Sequence, residues 1–255
     1  VVGVESDPVS SRQAVERGVV HRVTTLAEGV AGADVVVLAV PIGSLEAVAR
    51  ETSPMVKGTG TVVTDVGSVK APLVARLEPL FERFVGGHPM AGGERSGVRA
   101  ASSRLFDGAP CVLTPTARTD SGALDLVERL WRGLGASVVR WDPDLHDEAV
   151  AAVSHLPHLA AASLVNTAAG VQEGRAIGIA GGGFRDTTRI AGGSPPLWRD
   201  ICLMNRDPVL KMLADYLQQV ERLRDLIARG DGQGLLDALT RAQQARERLT
   251  EGGGA

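Results

Sequence analysis

Four stretches of this sequence carry residue types that can do chemistry, and the first is Gly86-Gly87-His88-Pro89-Met90-Ala91-Gly92-Gly93. A histidine set between glycine pairs, just after the short apolar run Arg83-Phe84-Val85, is expected on a stiff loop at a strand end. There its imidazole can serve as a general base near neutral pH, so His88 is the catalytic candidate. A lone histidine in a glycine-rich turn is more often a surface residue. Three further stretches, residues 65–70, 154–158 and 184–200, give it company that a surface loop does not need.

Asp65-Val66-Gly67-Ser68-Val69-Lys70 follows an apolar run and opens a helix. Ser68 fits there as a helix N-cap, or as a hydroxyl that reaches a bound cofactor and His88 from the carboxyl end of a sheet, and the two uses are compatible. Ser154-His155-Leu156-Pro157-His158 spaces two histidines three apart on a helix. A metal would need further ligands in range, so no metal is expected; a polar patch at a domain junction, with one histidine facing substrate, is the better reading. In Phe184-Arg185-Asp186-Thr187-Thr188-Arg189-Ile190-Ala191, Arg189 offers the forked donors that match a carboxylate. An ion pair between Arg189 and Asp186 is the plainer alternative.

These residues need a frame. Strands are expected over residues 1–5, 35–40, 61–65, 83–85, 111–114 and 137–141, alternating with helices over 8–17, 45–51, 69–81 and 121–134. Near-continuous apolar strands such as residues 35–40 suit a parallel sheet covered on both faces, so residues 1–141 are expected to form a doubly wound, Rossmann-like α/β domain. Ligands bind such sheets beyond the carboxyl ends of the strands. Glu5 is placed there to accept hydrogen bonds from the ribose hydroxyls of an adenosine, which favours NAD over NADP, although a solvated turn glutamate is the plainer use. Val40, Pro41, Asp65 and Ser68 are expected to line the same cofactor. The glycine fingerprint that cradles a pyrophosphate would lie one βα unit earlier, so the sheet is expected to be truncated at its N-terminal side.

After Trp141 the strand pattern stops, and residues 142–255 are expected to form an all-helical substrate and dimerisation domain. Pro157 is expected to kink its first long helix. Val209, Leu213, Tyr216, Val220, Leu223 and Ile227 form an apolar seam that suits either a bundle core or a homodimer.

The 255 residues carry 27 basic and 30 acidic side chains, a net charge of -3, and 44% hydrophobic residues. So even a mixture has no footprint for nucleic acid, and no apolar run reaches the roughly 18 residues of a membrane span. The two cysteines, Cys111 and Cys202, lie in apolar contexts and suit buried thiols in the cytoplasm.

Taken in order, these motifs, with Gly87-His88-Pro89-Met90-Ala91-Gly92, His146-Asp147 and Trp198-Arg199-Asp200-Ile201, resemble those of the prephenate/arogenate dehydrogenases of tyrosine biosynthesis. The resemblance implies an NAD-dependent oxidative decarboxylation of prephenate, or of arogenate as the alternative substrate. It makes His88 the catalytic histidine and Ser68 the residue that orients it and the nicotinamide. By the same resemblance Arg189 holds a substrate carboxylate, Ser154, His155 and Trp198 lie at the substrate, and Glu94 and Asp186 belong to a polar gating network. The helical domain would pair two copies of the chain. A non-catalytic helical dimer that has lost cofactor binding is the competing reading.

Overall fold

The computed structural model describes residues 1–92 and 97–251, with side chains up to residue 248. The first half alternates β1 (Val2–Gly3), α1 (Pro8–Glu16), β2 (Arg22–Val23), α2 (Leu26–Val30), β3 (Val35–Leu38), α3 (Leu45–Val56), β4 (Val62–Asp65), α4 (Ala71–Leu77), β5 (Phe84–Val85), β6 (Gly87–Pro89), β7 (Pro110–Leu113), α5 (Ser121–Gly133) and β8 (Ser137–Arg140). Local signals start the helices. Asp7 caps α1 through Ser10 N with Pro8 in the first turn, Thr25 and Glu28 form a reciprocal capping box on α2, and Asp120 caps α5 through Ala123 N. Strand β2 and helix α2 were not expected, because two and five residues are too short to display a period.

The sheet comes in segments. β1 pairs with β2, β3-β4-β5 is parallel throughout, and β6-β7-β8 has an antiparallel β6–β7 pair and a parallel β7–β8 pair. The second and third segments share one extended run of chain, which leaves β4 at Val85 and joins β7 at Gly87. The connecting Gly86 carbonyl accepts from Thr114 N at 2.9 Å. His88 therefore sits within a strand rather than on the expected loop, opposite Val112.

Alternation on the central strands shows that both faces are covered. Val63 and Phe84 enter one core with α3 and α4 residues Leu45, Ala49, Leu73, Val74 and Leu77, whereas Val62 and Val85 enter the other with α5 residues Ala123, Val127 and Trp131. This is the doubly wound arrangement expected from the apolar strands.

The second half continues with α6 (Pro143–Val150), α7 (Leu156–Ala169), α8 (Gly182–Thr188), α9 (Pro195–Met204), α10 (Arg206–Ala228) and α11 (Gly232–Glu251). Between α6 and α7 the backbone widens into a π turn over Ala151–His155. The wide turn places Pro157 in the opening turn of α7, where a proline is tolerated, so the helical run continues through a widened turn at the place where a kink was expected. Joined in this way, Pro143–Ala169 is a 27-residue helical run. By length and composition alone it could cross a membrane, although His155, Pro157 and His158 interrupt its apolar residues. One side of it, carrying His146, Asp147, Val150, Ala151, His155, His158 and Ala161, is buried in the protein.

The chain divides into two compact units, Val1–Val209 and Leu210–Ala255. The second holds most of α10 and α11, with Leu226 buried and Asp231 accepting from Gly234 N at 2.9 Å at the start of α11. Tyr216, Leu217, Val220, Ile227, Leu236 and Leu239 remain exposed on it.

The strand switch depends on the absence of a side chain at Gly86, where a Cβ would lie 2.6 Å from Thr114 Oγ1 and 2.7 Å from Val74 Cγ2. Gly86→Ala should cost roughly 1–3 kcal/mol through overpacking. Gly178→Ala, at a site with nothing within 4 Å, is the control, and equal urea midpoints for the two variants would refute the constraint.

Candidate active site

The strand that carries His88 is pinned by a buried ion pair. Asp65, the last residue of β4, accepts from Gly67 N at 2.8 Å and from Gly87 N at 3.2 Å. Its carboxylate also receives Lys70 Nζ in a close contact, and that ammonium donates to the Gly87 carbonyl at 2.8 Å. Both side chains are wholly removed from water. A buried charge is tolerated only when paired and hydrogen-bonded, and here each is. The pair thereby clamps the backbone immediately before His88 to the end of β4.

His88 Nδ1 lies 2.8 Å from His146 Nε2 on α6, and His146 Nδ1 lies 2.7 Å from Asp147 Oδ1. Asp147 also accepts from Lys70 N at 2.7 Å and from Ala71 N at 2.8 Å, which makes it the cap of α4 across a gap of 77 residues in sequence. Its main-chain carbonyl accepts from Asn205 Nδ2 at 2.9 Å, and the same amide nitrogen lies 3.1 Å from His155 Nδ1. Burial, and after it the Lys70 ammonium with His146 and His155, holds His88 well below the usual histidine range. Burial likewise lowers His155 to about 4, against the opposing pull of Asp147. Both imidazoles are therefore neutral at neutral pH.

A second layer is aromatic. Trp198 on α9 stacks on His158 with ring centroids 3.7 Å apart and meets His155 edge-on at 6.1 Å. Gly193 makes the stack possible, since a Cβ there would lie 2.7 Å from Trp198 Nε1. The turn Arg189–Gly192 follows α8, and Gly193 just beyond it lies against the His158 and Trp198 rings.

A neutral buried imidazole on a strand, backed by a relay to a carboxylate, suits proton abstraction from a substrate hydroxyl. Two family profiles match the chain: "Prephenate dehydrogenase, nucleotide-binding domain" over residues 1–140 and "Prephenate dehydrogenase, dimerization domain" over residues 142–241. The chain belongs to the prephenate dehydrogenase family. A prephenate dehydrogenase of Bacillus subtilis is 33% identical over 98% of this chain and 69% of its own length. A cyclohexadienyl dehydrogenase of Zymomonas mobilis is 34% identical over 86% of this chain and 76% of its own. Among solved structures, prephenate dehydrogenase from A. aeolicus in complex with hydroxyphenyl propionate and NAD+ superposes with a TM-score of 0.91 at 36% identity, covering 97% of this chain and 88% of that one. Arogenate dehydrogenase of Synechocystis superposes at 0.83 with 33% identity, covering 97% and 90%.

Against this prephenate dehydrogenase fold, the residues singled out from sequence sort clearly. His88, His155 and Trp198 are drawn into one connected set through His146, Asp147 and Asn205. Ser154 is half-buried in the π turn beside His155. Arg189 and Asp186 are exposed at and near the end of α8. Ser68 is half-buried in the turn between β4 and α4, but it is not the helix cap: α4 begins after Lys70, and Asp147 supplies the capping oxygens. Asp65, expected at the cofactor, is instead buried and occupied by Lys70, Gly67 and Gly87, because its position at the strand end faces the β4–β6 junction. Glu5 is exposed just beyond β1 and accepts from Asp7 N at 2.9 Å; Val40 packs on the core and Pro41 is exposed before the turn Ile42–Ser44. Glu94 lies outside the described residues. The roles of Lys70, His146, Asp147 and Asn205 escaped sequence reasoning. The adjacent His146-Asp147 pair was a signal; a lone asparagine before a helix was none.

The neutral state of His155 has a consequence for stability. Unfolded, it titrates near 6.5, so below that pH the unfolded chain binds a proton that the folded chain refuses down to about 4. Its contribution is fully present above roughly pH 6.5 and should be lost as pH falls to 4, by about 3 kcal/mol, with His88 adding in the same direction. Urea unfolding at pH 7 and pH 4.5 measures the slope, and His155→Asn should flatten it; an unchanged slope would show that His155 is protonated in the folded protein.

Proposed function

We propose that this chain is an NAD-dependent dehydrogenase that oxidatively decarboxylates prephenate to 4-hydroxyphenylpyruvate in tyrosine biosynthesis, with His88 as its base. The observation that carries the reading is a histidine held neutral by burial and a nearby ammonium, yet positioned on a rigid strand by hydrogen bonds. Prephenate is a cyclohexadienol with a hydroxyl opposite a quaternary carbon that bears a carboxylate. Neutral His88 accepts a hydrogen bond from that hydroxyl and takes its proton as the carbonyl forms. The ring carboxylate leaves as carbon dioxide, its bonding pair completes the aromatic ring and turns the carbonyl into a phenolate that takes the proton back from His88, and the reaction becomes effectively irreversible.

NAD, when bound, supplies the acceptor for the hydride lost from the carbon that bears the hydroxyl. The residues present suit such a cofactor in kind: Glu5 is an exposed carboxylate beyond β1 for ribose hydroxyls, Val40 and Pro41 follow β3, and Ser68 keeps a partly exposed hydroxyl after β4. Arg189 presents its guanidinium to a substrate carboxylate, and Ser154, His155 and Trp198 enclose the ring. Glu94 and Asp186 are assigned to a polar gate over the site. Arogenate has an ammonium where prephenate has a ketone and is the alternative substrate, supported by the likeness to the Synechocystis arogenate dehydrogenase.

Kinetics of NAD reduction with each substrate test the assignment. His88→Asn should lower kcat by about 10²–10⁴-fold with the fold intact, and Arg189→Ala should mainly raise KM. Turnover that survives in His88→Asn would remove it as the base.

The domain boundary is placed at residues 141–142, with the cofactor before it and pairing of two copies after it. The match to a dimerization domain and the exposed apolar residues of α10 and α11 support a homodimer through those helices. Leu217→Asp together with Val220→Asp should convert the dimer to a monomer by light scattering, and an unchanged mass would place the interface elsewhere. The free thiols Cys111 and Cys202 support a cytoplasmic setting.

A further inference from the structure

The geometry points to one cluster, Asp147, His146 and Asn205, that locks the two buried histidines of the site in opposite tautomers. In that arrangement His88 carries its proton on Nδ1 and accepts at Nε2, while His155 carries its proton on Nε2 and accepts at Nδ1. The inference rests on the reading of His88 as the base and adds which atom does the work and what holds it ready.

The first half follows from donor and acceptor inventory. An ionised carboxylate only accepts, so in the 2.7 Å contact His146 Nδ1 carries the proton and Asp147 Oδ1 receives it. With one ring proton, on Nδ1, His146 has its lone pair on Nε2. In the 2.8 Å contact with His88 the donor is therefore His88 Nδ1. Neutral His88 is left with a lone pair on Nε2, the form that can take a proton from a hydroxyl. Asp147 draws its other hydrogen bonds from Lys70 N and Ala71 N at the start of α4, where a carboxylate is favoured by the helix dipole. The carboxylate thus has two backbone donors besides His146.

The second half follows from the amide of Asn205. A main-chain carbonyl only accepts, so the 2.9 Å contact with the Asp147 carbonyl requires the NH₂ group of Asn205 to face that way. The second hydrogen of the same nitrogen is directed to His155 Nδ1 at 3.1 Å. His155 Nδ1 is therefore an acceptor, and its proton resides on Nε2. One residue anchors both halves: Asp147 orients His146 through its side chain and Asn205 through its backbone. The site then holds one imidazole that accepts from a hydroxyl and one that donates to a substrate oxygen. His146, Asp147 and Asn205 act as positioning residues.

The test is a two-bond proton–nitrogen correlation spectrum of the histidine-15N-labelled full chain at pH 7.5, with its five histidines assigned by single substitutions. The expected result is an Nδ1–H pattern for His88 and an Nε2–H pattern for His155. His146→Leu should release His88 toward the Nε2–H form that free imidazole prefers, lowering kcat about 10²-fold while KM for prephenate stays within about twofold. His146→Gln places an accepting oxygen near the lost Nε2 and should restore both the Nδ1–H pattern and most of kcat. A wild-type His88 found as Nε2–H or doubly protonated, or a His155 found as Nδ1–H, overturns the proposal, and so does an unaltered kcat in His146→Leu. Should His146→Leu fail to fold, the wild-type spectrum decides alone. Full turnover in His88→Asn sinks the base reading instead, and the same spectrum still reports the tautomers.

Discussion

A carboxylate taken out of water has to be repaid in hydrogen bonds, and Asp147 obtains them from two parts of the chain while its backbone holds a third. Two come from the first amides of α4, one from His146 on its own helix, while its carbonyl holds Asn205 at the end of α9. A helix start leaves N–H groups without partners, and here a residue far along the chain satisfies them. The consequence is mechanical as well as electrostatic. Helix α6 cannot shift against the sheet without uncapping α4 and unseating the imidazoles on either side.

The same logic governs the strand that presents His88. Asp65 and Lys70 are wholly buried, and neither would be tolerated there alone. Together with the Gly67 and Gly87 contacts they fix the β4 end to the start of β6. The small residues at Gly86 and Gly87 then serve close packing of the crossing strand on Thr114, Val74 and Asp65 rather than a turn. The rigidity suits an imidazole whose neutral state depends on staying dry, since any opening of this layer would rehydrate His88 and return it toward the ordinary histidine range.

The π turn is the compromise that lets the helical half meet these demands. A proline in the middle of an α-helix would cost a hydrogen bond and a kink, whereas a widened turn over Ala151–His155 admits it at the beginning of α7. His155 closes that turn and His158 follows one turn later, so both face inward, one toward Asn205 and the other against Trp198. An uninterrupted helix would advance these rings differently around the axis.

Much of this protein was legible in its sequence. The apolar strands with their intervening helices specify a doubly covered sheet because period and burial are local properties of a chain. The motif around His88, the serine–histidine helix and the arginine-bearing turn pointed to the chemistry only together, through their resemblance in order to the motifs of one family. What the sequence could not reveal is which of these groups touch. Asp65 looks like a cofactor residue until the fold brings Lys70 and Gly87 onto it. Ser68 looks like a helix cap until Asp147, 77 residues away from Lys70, takes that place. Asn205 has no motif at all. Only the tertiary structure decided these assignments, because a buried polar atom takes its role from whichever partner the fold sets within about 3 Å, and that distance is not written in spacing along the chain.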